Sequence, residues 1–305
     1  MWYNRGMIQD IYPHRFYNSY DLRTEPTEGD SVFVFRDDRV LVSRNSLILP
    51  EVHDLHNTDD LIYLFRIDEK NYFLKQLEAE EKVLTENDIY RANAWDDHPI
   101  MVDGLRGYEF IRVQFLREEK SVEKWRYFAT VCAFHLYQWY QGSRFCGRCG
   151  TPTVHSEKER CMICPKCGNH IYPKIVPAVI VGVTDPDANK LLVTRYAGRS
   201  IHYDALIAGF TEFGETLEEN VAREVMEETG LTVTNIRYYK SQPWGMVSDI
   251  LMGFWCDVTG SREVTLDGEL GSAEWLPPDE IKGQPDDMSL TNEMMMIFKE
   301  KNGRV

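Results

Sequence analysis

Gly209–Leu231, GFTEFGETLEENVAREVMEETGL, sets carboxylates into one predicted helix at a spacing that ordinary helix stability does not favour. Thr216 followed by Glu219 is a capping box: hydroxyl and carboxylate each satisfy a free N–H of the first turn, so the helix begins there. Gly230 ends it. Leu217, Val221 and Val225 recur at i, i+4, i+8 as the core-facing stripe, while Glu224, Glu227 and Glu228 stand at i, i+3, i+4 on another face. Like charges at that spacing cost a few tenths of a kcal/mol per pair in an isolated helix. A solvated acidic face competes with a divalent-metal site, and the metal removes the conflict: carboxylate oxygens suit Mg²⁺ or Mn²⁺, which bind diphosphate oxygens in turn.

The longer spacing goes beyond charge. Gly209, five residues, Glu215, seven residues, then Arg223-Glu224-Val225-Met226-Glu227-Glu228-Thr229-Gly230-Leu231 resembles the Nudix box at every defined position. The resemblance implies hydrolysis of a nucleoside diphosphate linked to another moiety, with metal held on the box glutamates.

At 305 residues the chain exceeds what one hydrophobic core usually covers, so two domains with a small module between them are expected. The expected division is an N-terminal α+β domain (1–141), a cysteine module (142–173) and a C-terminal domain (174–305). A net charge of −15 argues against a generic phosphate-backbone binder, though not against a local basic groove. The N-terminal MWYNRGMIQDIYPHRF lacks the apolar core of a signal peptide and no run of 18 apolar residues occurs, so a cytoplasmic protein without a membrane partner is expected.

Five of the seven cysteines crowd between 146 and 167, which fits a metal site in a reducing compartment. Phe145-Cys146-Gly147-Arg148-Cys149-Gly150 and Ile163-Cys164-Pro165-Lys166-Cys167-Gly168 are matching knuckles fourteen residues apart, an arrangement that favours tetrahedral Zn²⁺ on Cys146, Cys149, Cys164 and Cys167. Cys161 could pair with Cys164, but only Cys164 and Cys167 reproduce the following glycine, so Cys161 is left over. Four thiolates leave no open coordination position, which makes the zinc structural.

Elsewhere, Ser31–Val42 reads as two strands joined by an Asp-Asp turn, Asn71–Leu77 as a strand and Ala129–Gln141 as an amphipathic helix. Ile175–Val183 is a largely buried strand, Lys190–Arg195 pairs with it across an Asp-Pro-Asp turn, and Ala205–Ala208 leads into the box. Leu251–Val258 and Ser272–Leu276 add strands, and Leu290–Lys299 closes with a helix. Together these resemble the Nudix α/β/α sandwich with a mixed sheet, preceded by a four-Cys zinc ribbon and an α+β domain.

Ser241-Gln242-Pro243-Trp244 resembles the start of the SQPWPFPxS array of the NADH pyrophosphatases, a Nudix branch, but continues Gly245-Met246-Val247-Ser248-Asp249, without Pro-Phe-Pro or the final Ser. N-terminal domain, ribbon, box and SQPW occur in that branch's order. The resemblance implies hydrolysis of the pyrophosphate of NAD(H) to NMN(H) and AMP, extends to removal of an NAD cap from RNA, and implies a homodimer. It places Mg²⁺ or Mn²⁺ on Glu224, Glu227, Glu228, the Ala208 carbonyl and Glu269, for which Asp267 is the competitor. It leaves the base between Glu227 and Glu228 and assigns Arg223 to orienting the glutamates. Phe210, Gln242, Pro243, Trp244, Tyr172, Glu159 and Thr291 fall where the branch contacts substrate; Tyr172 and Trp244 read equally as packing residues, Thr291 as an N-cap and Glu159 as a surface charge. ADP-ribose or another dinucleotide as substrate, and a nucleotide-sensing regulator that does not hydrolyse, are the rival readings.

Overall fold

A computed structural model describes residues 6–77, 105–197, 203–266, 268 and 270–305. The chain divides into two compact units: Ile11–Lys174, and Ile175–Val305 together with residues 6–10. Compared with boundaries at 141/142 and 173/174, the ribbon shares a unit with the N-terminal sheet, and the first described residues belong to the C-terminal unit. The reason is local packing: Met7 joins the C-terminal core, the Ile8 N–H donates to the Met288 carbonyl at 3.0 Å, and Gln9 Nε2 donates to the Ser241 carbonyl at 3.4 Å.

In the unit Ile11–Lys174, strands β1 (Phe16–Tyr17), β2 (Ser31–Arg36), β3 (Arg39–Ser43), β4 (Ile62–Ile67), β5 (Lys70–Lys75) and β6 (Tyr108–Arg112) form one sheet, ordered β1-β4-β5-β2-β3-β6. The β2–β3 turn is the expected Asp-Asp pair, with Asp37 in the left-handed region at φ 52°. Helices α1 (Val113–Leu116) and α2 (Lys124–Gly142) follow, α2 starting five residues before the apolar pattern suggests. Phe134 and Tyr137 of α2 pack on Phe35 of β2 at ring separations of 5.5 and 5.0 Å, so the aromatic helix is core. The ribbon strands β7 (Val154–His155), β8 (Met162–Ile163) and β9 (His170–Ile171) form a small antiparallel sheet.

The C-terminal unit is a sheet between two helices. Its strands are β10 (Val176–Asp185), β11 (Lys190–Tyr196), β12 (Ile207–Phe210), β13 (Thr232–Trp244), β14 (Asp249–Thr259) and β15 (Leu270–Leu276), ordered β13-β14-β10-β11-β15 with β12 also paired to β10. Helix α3 (Leu217–Thr229) covers one face and α4 (Leu290–Glu300) the other. β10 alternates between the layers: Val179, Val181 and Val183 meet Val221 and Val225 of α3, while Ile180 meets Leu290 and Met294 of α4. Burial on both faces explains its unbroken apolar run. The expected hairpin with β11 is confined to Thr184↔Leu191 and Asp185↔Lys190; most of β10 pairs in parallel with β14, and its other edge takes β12. Ser241–Trp244 ends the thirteen-residue β13 and does not form a loop after it; β13 is the sheet's edge strand, where Pro243 deprives no ladder of a needed donor. Among the described residues no helix is long and apolar enough to cross a membrane.

Candidate active site and zinc ribbon

Helix α3 starts as its capping box requires: the Thr216 hydroxyl accepts from the Glu219 N–H at 3.2 Å, and the Glu219 carboxylate accepts from the Thr216 N–H at 2.8 Å. It stops at Gly230, left-handed at φ 69°. Val221 and Val225 are buried, which fixes the helix rotation and turns Arg223, Glu224 and Glu227 toward the strand that precedes it.

Arg223 organises that face. Its Nε and Nη2 donate to the two oxygens of Glu215 at 2.8 and 3.0 Å, and its Nη1 donates to Glu224 Oε1 at 2.8 Å and Glu227 Oε2 at 2.9 Å. Nη2 also donates to Asn220 Oδ1 at 2.9 Å and the Phe210 carbonyl at 3.0 Å. One planar fork thus ties three carboxylates to the end of β12. The Arg223 fork, and then the Glu212 N–H, hold the Glu215 carboxyl below its usual range. Burial pushes Glu224 the other way, against the pull of Arg223. Asn220, fully buried, donates to Thr211 Oγ1 at 2.9 Å, so it locks loop to helix from inside. Glu215 and Asn220 are supports to which the sequence reading gave no role; each precedes Arg223 inside the box, at i−8 and i−3, and i−3 is a contact spacing on a helix.

Gly209 faces α3 from β12. A Cβ there would run into the Glu224 carboxylate, so the backbone is bare because the acid rests on it. Replacing Gly209 with Ala is therefore expected to displace Glu224 and lower turnover about a hundredfold, with far-UV circular dichroism unchanged; retained turnover would show that Glu224 need not rest there. Glu228 is 3% exposed, whereas the Glu227 side chain is 58% exposed. The donor set is all oxygen, and a part-buried acid raised by desolvation is relieved by a nearby cation, so these residues fit a hard divalent metal. The glutamate oxygens are not drawn into one tight cluster, because Arg223 holds one oxygen each of Glu224 and Glu227. Ala208 lies beside Gly209 in β12, paired with Ile180. Glu269 and Asp267 lie outside the described residues.

The remaining candidates separate by environment. Phe210 ends β12 and is 52% exposed. Pro243 is exposed and Trp244 half-buried. Gln242 is a correction: it is fully buried, its Nε2 donates to the Met288 carbonyl at 2.8 Å and its Oε1 accepts from the Leu290 N–H at 2.8 Å, so it braces the start of α4 and offers substrate nothing. Thr291 is not the N-cap; Ser289 is, its hydroxyl accepting from the Asn292 N–H at 3.1 Å. In the other unit the Tyr172 hydroxyl donates to Glu159 Oε1 at 2.9 Å, joining the two ribbon candidates.

The four expected cysteines form one cluster with all sulfurs within 4.8 Å of one another, the only such group of His, Cys, Asp or Glu among the described residues. The pairs Cys146–Cys167, Cys149–Cys164 and Cys149–Cys167 stand 3.6, 3.5 and 3.7 Å apart. A tetrahedron with Zn–S bonds of about 2.3 Å has edges of about 3.8 Å, so the cage fits zinc. The knuckles match: Gly150 and Gly168 are left-handed, and their N–H groups donate to the Cys146 and Cys164 carbonyls at 2.8 and 2.9 Å. Hydrogen bonding to Thr151 holds the Cys149 thiol down to about 6, which favours thiolate. Cys161 is buried outside the cage, its Sγ against the Met162 carbonyl.

Residues 174–295 match the NUDIX domain family and residues 143–172 the NADH pyrophosphatase zinc ribbon domain family. The chain therefore carries a Nudix domain and, directly before it, a zinc ribbon of the kind found in NADH pyrophosphatases. It is 38% identical over 146 residues to proteins named NAD-capped RNA hydrolase NudC from Klebsiella pneumoniae subsp. pneumoniae and from Salmonella typhi. Each match covers 48% of this chain and 56% of the relative, so the chain spans little more than half the length of these relatives. A solved NUDIX hydrolase from Nitrosomonas europaea is 26% identical, over 52% of this chain and 91% of that one, with a TM-score of 0.44.

Proposed function

We propose that this protein hydrolyses the pyrophosphate bond of NAD(H), releasing NMN(H) and AMP, and removes an NAD cap from RNA by the same reaction. The observation that carries this is the Arg223 fork, which gathers Glu215, Glu224 and Glu227 at the edge of an exposed aromatic, Phe210. The names of the NudC relatives support the choice of substrate.

Glu224, Glu227 and Glu228, with the Ala208 carbonyl and Glu269, are the groups assigned to hold Mg²⁺ or Mn²⁺. When bound, such ions supply charge neutralisation on the pyrophosphate and a lowered pKa for the attacking water. Arg223 keeps Glu224 and Glu227 in place while substrate binds. Phe210 offers a face on which a planar base stacks. Glu227 or Glu228 takes the proton from water, and Tyr172 with Glu159, Pro243, Trp244 and Thr291 are the further substrate contacts of this reading. The zinc ribbon has a structural role, and a cytoplasmic homodimer completes the proposal; light scattering tests the dimer.

The deciding assay runs NADH, NAD⁺, ADP-ribose and an NAD-capped RNA side by side with Mg²⁺ or Mn²⁺, against Glu228→Gln as control. Release of NMN(H) and AMP that is absent in the variant is the expected result. A clear preference for ADP-ribose would overturn the substrate, and tight nucleotide binding without cleavage would overturn hydrolysis.

A further inference from the structure

The unit Ile11–Lys174 holds a cavity that hydrolysis does not use. Its volume is about 100 Å³, and it lies between the first turns of α2, the segment 47–49 and the sheet. Most of its wall is apolar, from Val42, Leu47, Leu49, Leu116, Val122 and Trp125. Two cations, Arg126 and Lys70, and three hydroxyl residues, Tyr72, Ser31 and Thr130, line much of the rest. No carboxylate does, in a chain whose net charge is −15.

The two cations differ. Lys70 is paired with Glu51 Oε1 at 2.5 Å. Half-buried Arg126 makes no ion pair among the described residues, and its side chain donates there only from Nη2 to the Leu47 carbonyl. Burial lowers its pKa, so the charge sits where water serves it poorly and no acid takes the place of water. Tyr72 is the other open group. It is 3% exposed, within reach of the Arg126 charge, and among the described residues its hydroxyl has no hydrogen-bond partner. Burial pushes that hydroxyl up to about 12, so it stays protonated and can donate. The wall is also held in place before any ligand arrives: Leu47 takes the left-handed region at φ 52°, which a residue with a side chain keeps only where its surroundings fix it.

We propose that this cavity binds a small monocarboxylate with a compact apolar body, its carboxylate on the Arg126 guanidinium and the Tyr72 hydroxyl, its hydrocarbon among Leu49, Val122 and Trp125. An apolar pocket with a few convergent polar groups is how proteins fix the orientation of a small ligand, and a guanidinium matches a carboxylate with two parallel donors. Size narrows the class. A dry apolar cavity of about 150 Å³ holds benzene, so one of about 100 Å³ suits a body of about four carbons. A single unpaired guanidinium balances one negative charge, which excludes a polyphosphate.

The test uses the whole zinc-loaded chain, with isovalerate as the probe and isovaleramide as its neutral counterpart. Calorimetric titration should give saturable binding of isovalerate with a dissociation constant in the millimolar range or below, and binding of the amide at least about tenfold weaker. Arg126→Met should weaken isovalerate by between about tenfold and a hundredfold, and Tyr72→Phe by a few-fold. The chain has seven tryptophans; with nitrogen-15 in their indoles, the resonance that disappears in Trp125→Phe should be the one that shifts with isovalerate. Arg126→Met also frees the Leu47 carbonyl, so its melting temperature is measured, and if it does not fold the wild-type comparison of acid with amide and the Tyr72→Phe titration decide. The proposal is overturned by no saturable binding up to about 20 mM isovalerate, by equal binding of acid and amide, or by binding that leaves Trp125 unshifted. A lowered melting temperature in Arg126→Met without isovalerate binding by the wild type assigns Arg126 to holding Leu47 and overturns it too.

Discussion

Replacing Arg223 with Ala is expected to cut kcat for dinucleotide hydrolysis by between about a hundredfold and a thousandfold, with KM changed only a few-fold. Every hydrogen bond of its guanidinium goes to the protein's own oxygens: Glu215, Glu224, Glu227, Asn220 and the Phe210 carbonyl. Its loss therefore frees the carboxylates without removing a substrate contact, and the damage falls on turnover. Arg223→Lys should recover little, because one ammonium cannot span Glu215 on one side and Glu224 with Glu227 on the other. The Mn²⁺ concentration for half-maximal rate should rise in both variants, since the ligands are no longer held together. Steady-state kinetics with a metal titration decides it. A large rise in KM at constant kcat would instead make Arg223 a substrate-binding residue.

Cys149→Ser is expected to take the protein from one zinc per chain to well below one and to lower its melting temperature sharply. Structural zinc contributes about 10–16 kcal/mol of apparent binding free energy to small modules at neutral pH. The ribbon has little else, since β7, β8 and β9 are two residues each. Cys161→Ser is the informative contrast: its sulfur is outside the cage, so zinc content should stay at one, with a modest stability loss from a buried hydroxyl. Metal analysis by mass spectrometry with a thermal melt of each variant provides the check. Zinc lost from Cys161→Ser but kept in Cys149→Ser would reverse the ligand assignment.

Much of the architecture was legible because it rests on local rules. The capping box at Thr216 and Glu219, the stop at Gly230 and the stripe Val221–Val225 depend on residues within a few turns, and the structure has each as expected. The zinc knuckles are equally local: spacing and a left-handed glycine after each second cysteine define the cage. The Gln242 assignment failed for the opposite reason. A short polar motif shows which groups can hydrogen-bond, and not whether the chain will use them itself; here Met288 and Leu290, at the entry to α4 and nearly fifty residues on, take the two ends of the amide. The pairing of β10 was hidden likewise, because its parallel partner β14 lies beyond three further strands and a helix.

Sequence alone thus determined the Nudix domain, the four-cysteine cluster and the helix that carries the acidic box, since period, caps and spacing are properties of neighbouring residues. Tertiary structure decided what those groups face. The Glu224 carboxylate rests on Gly209 because β12 is docked against α3; residues 6–10 join the C-terminal unit because its core buries Met7; Asp249 is left buried and unpaired because three strands meet in register at the end of a sheet. Such contacts join residues far apart in the chain, and side-chain chemistry by itself does not choose among the partners that could make them.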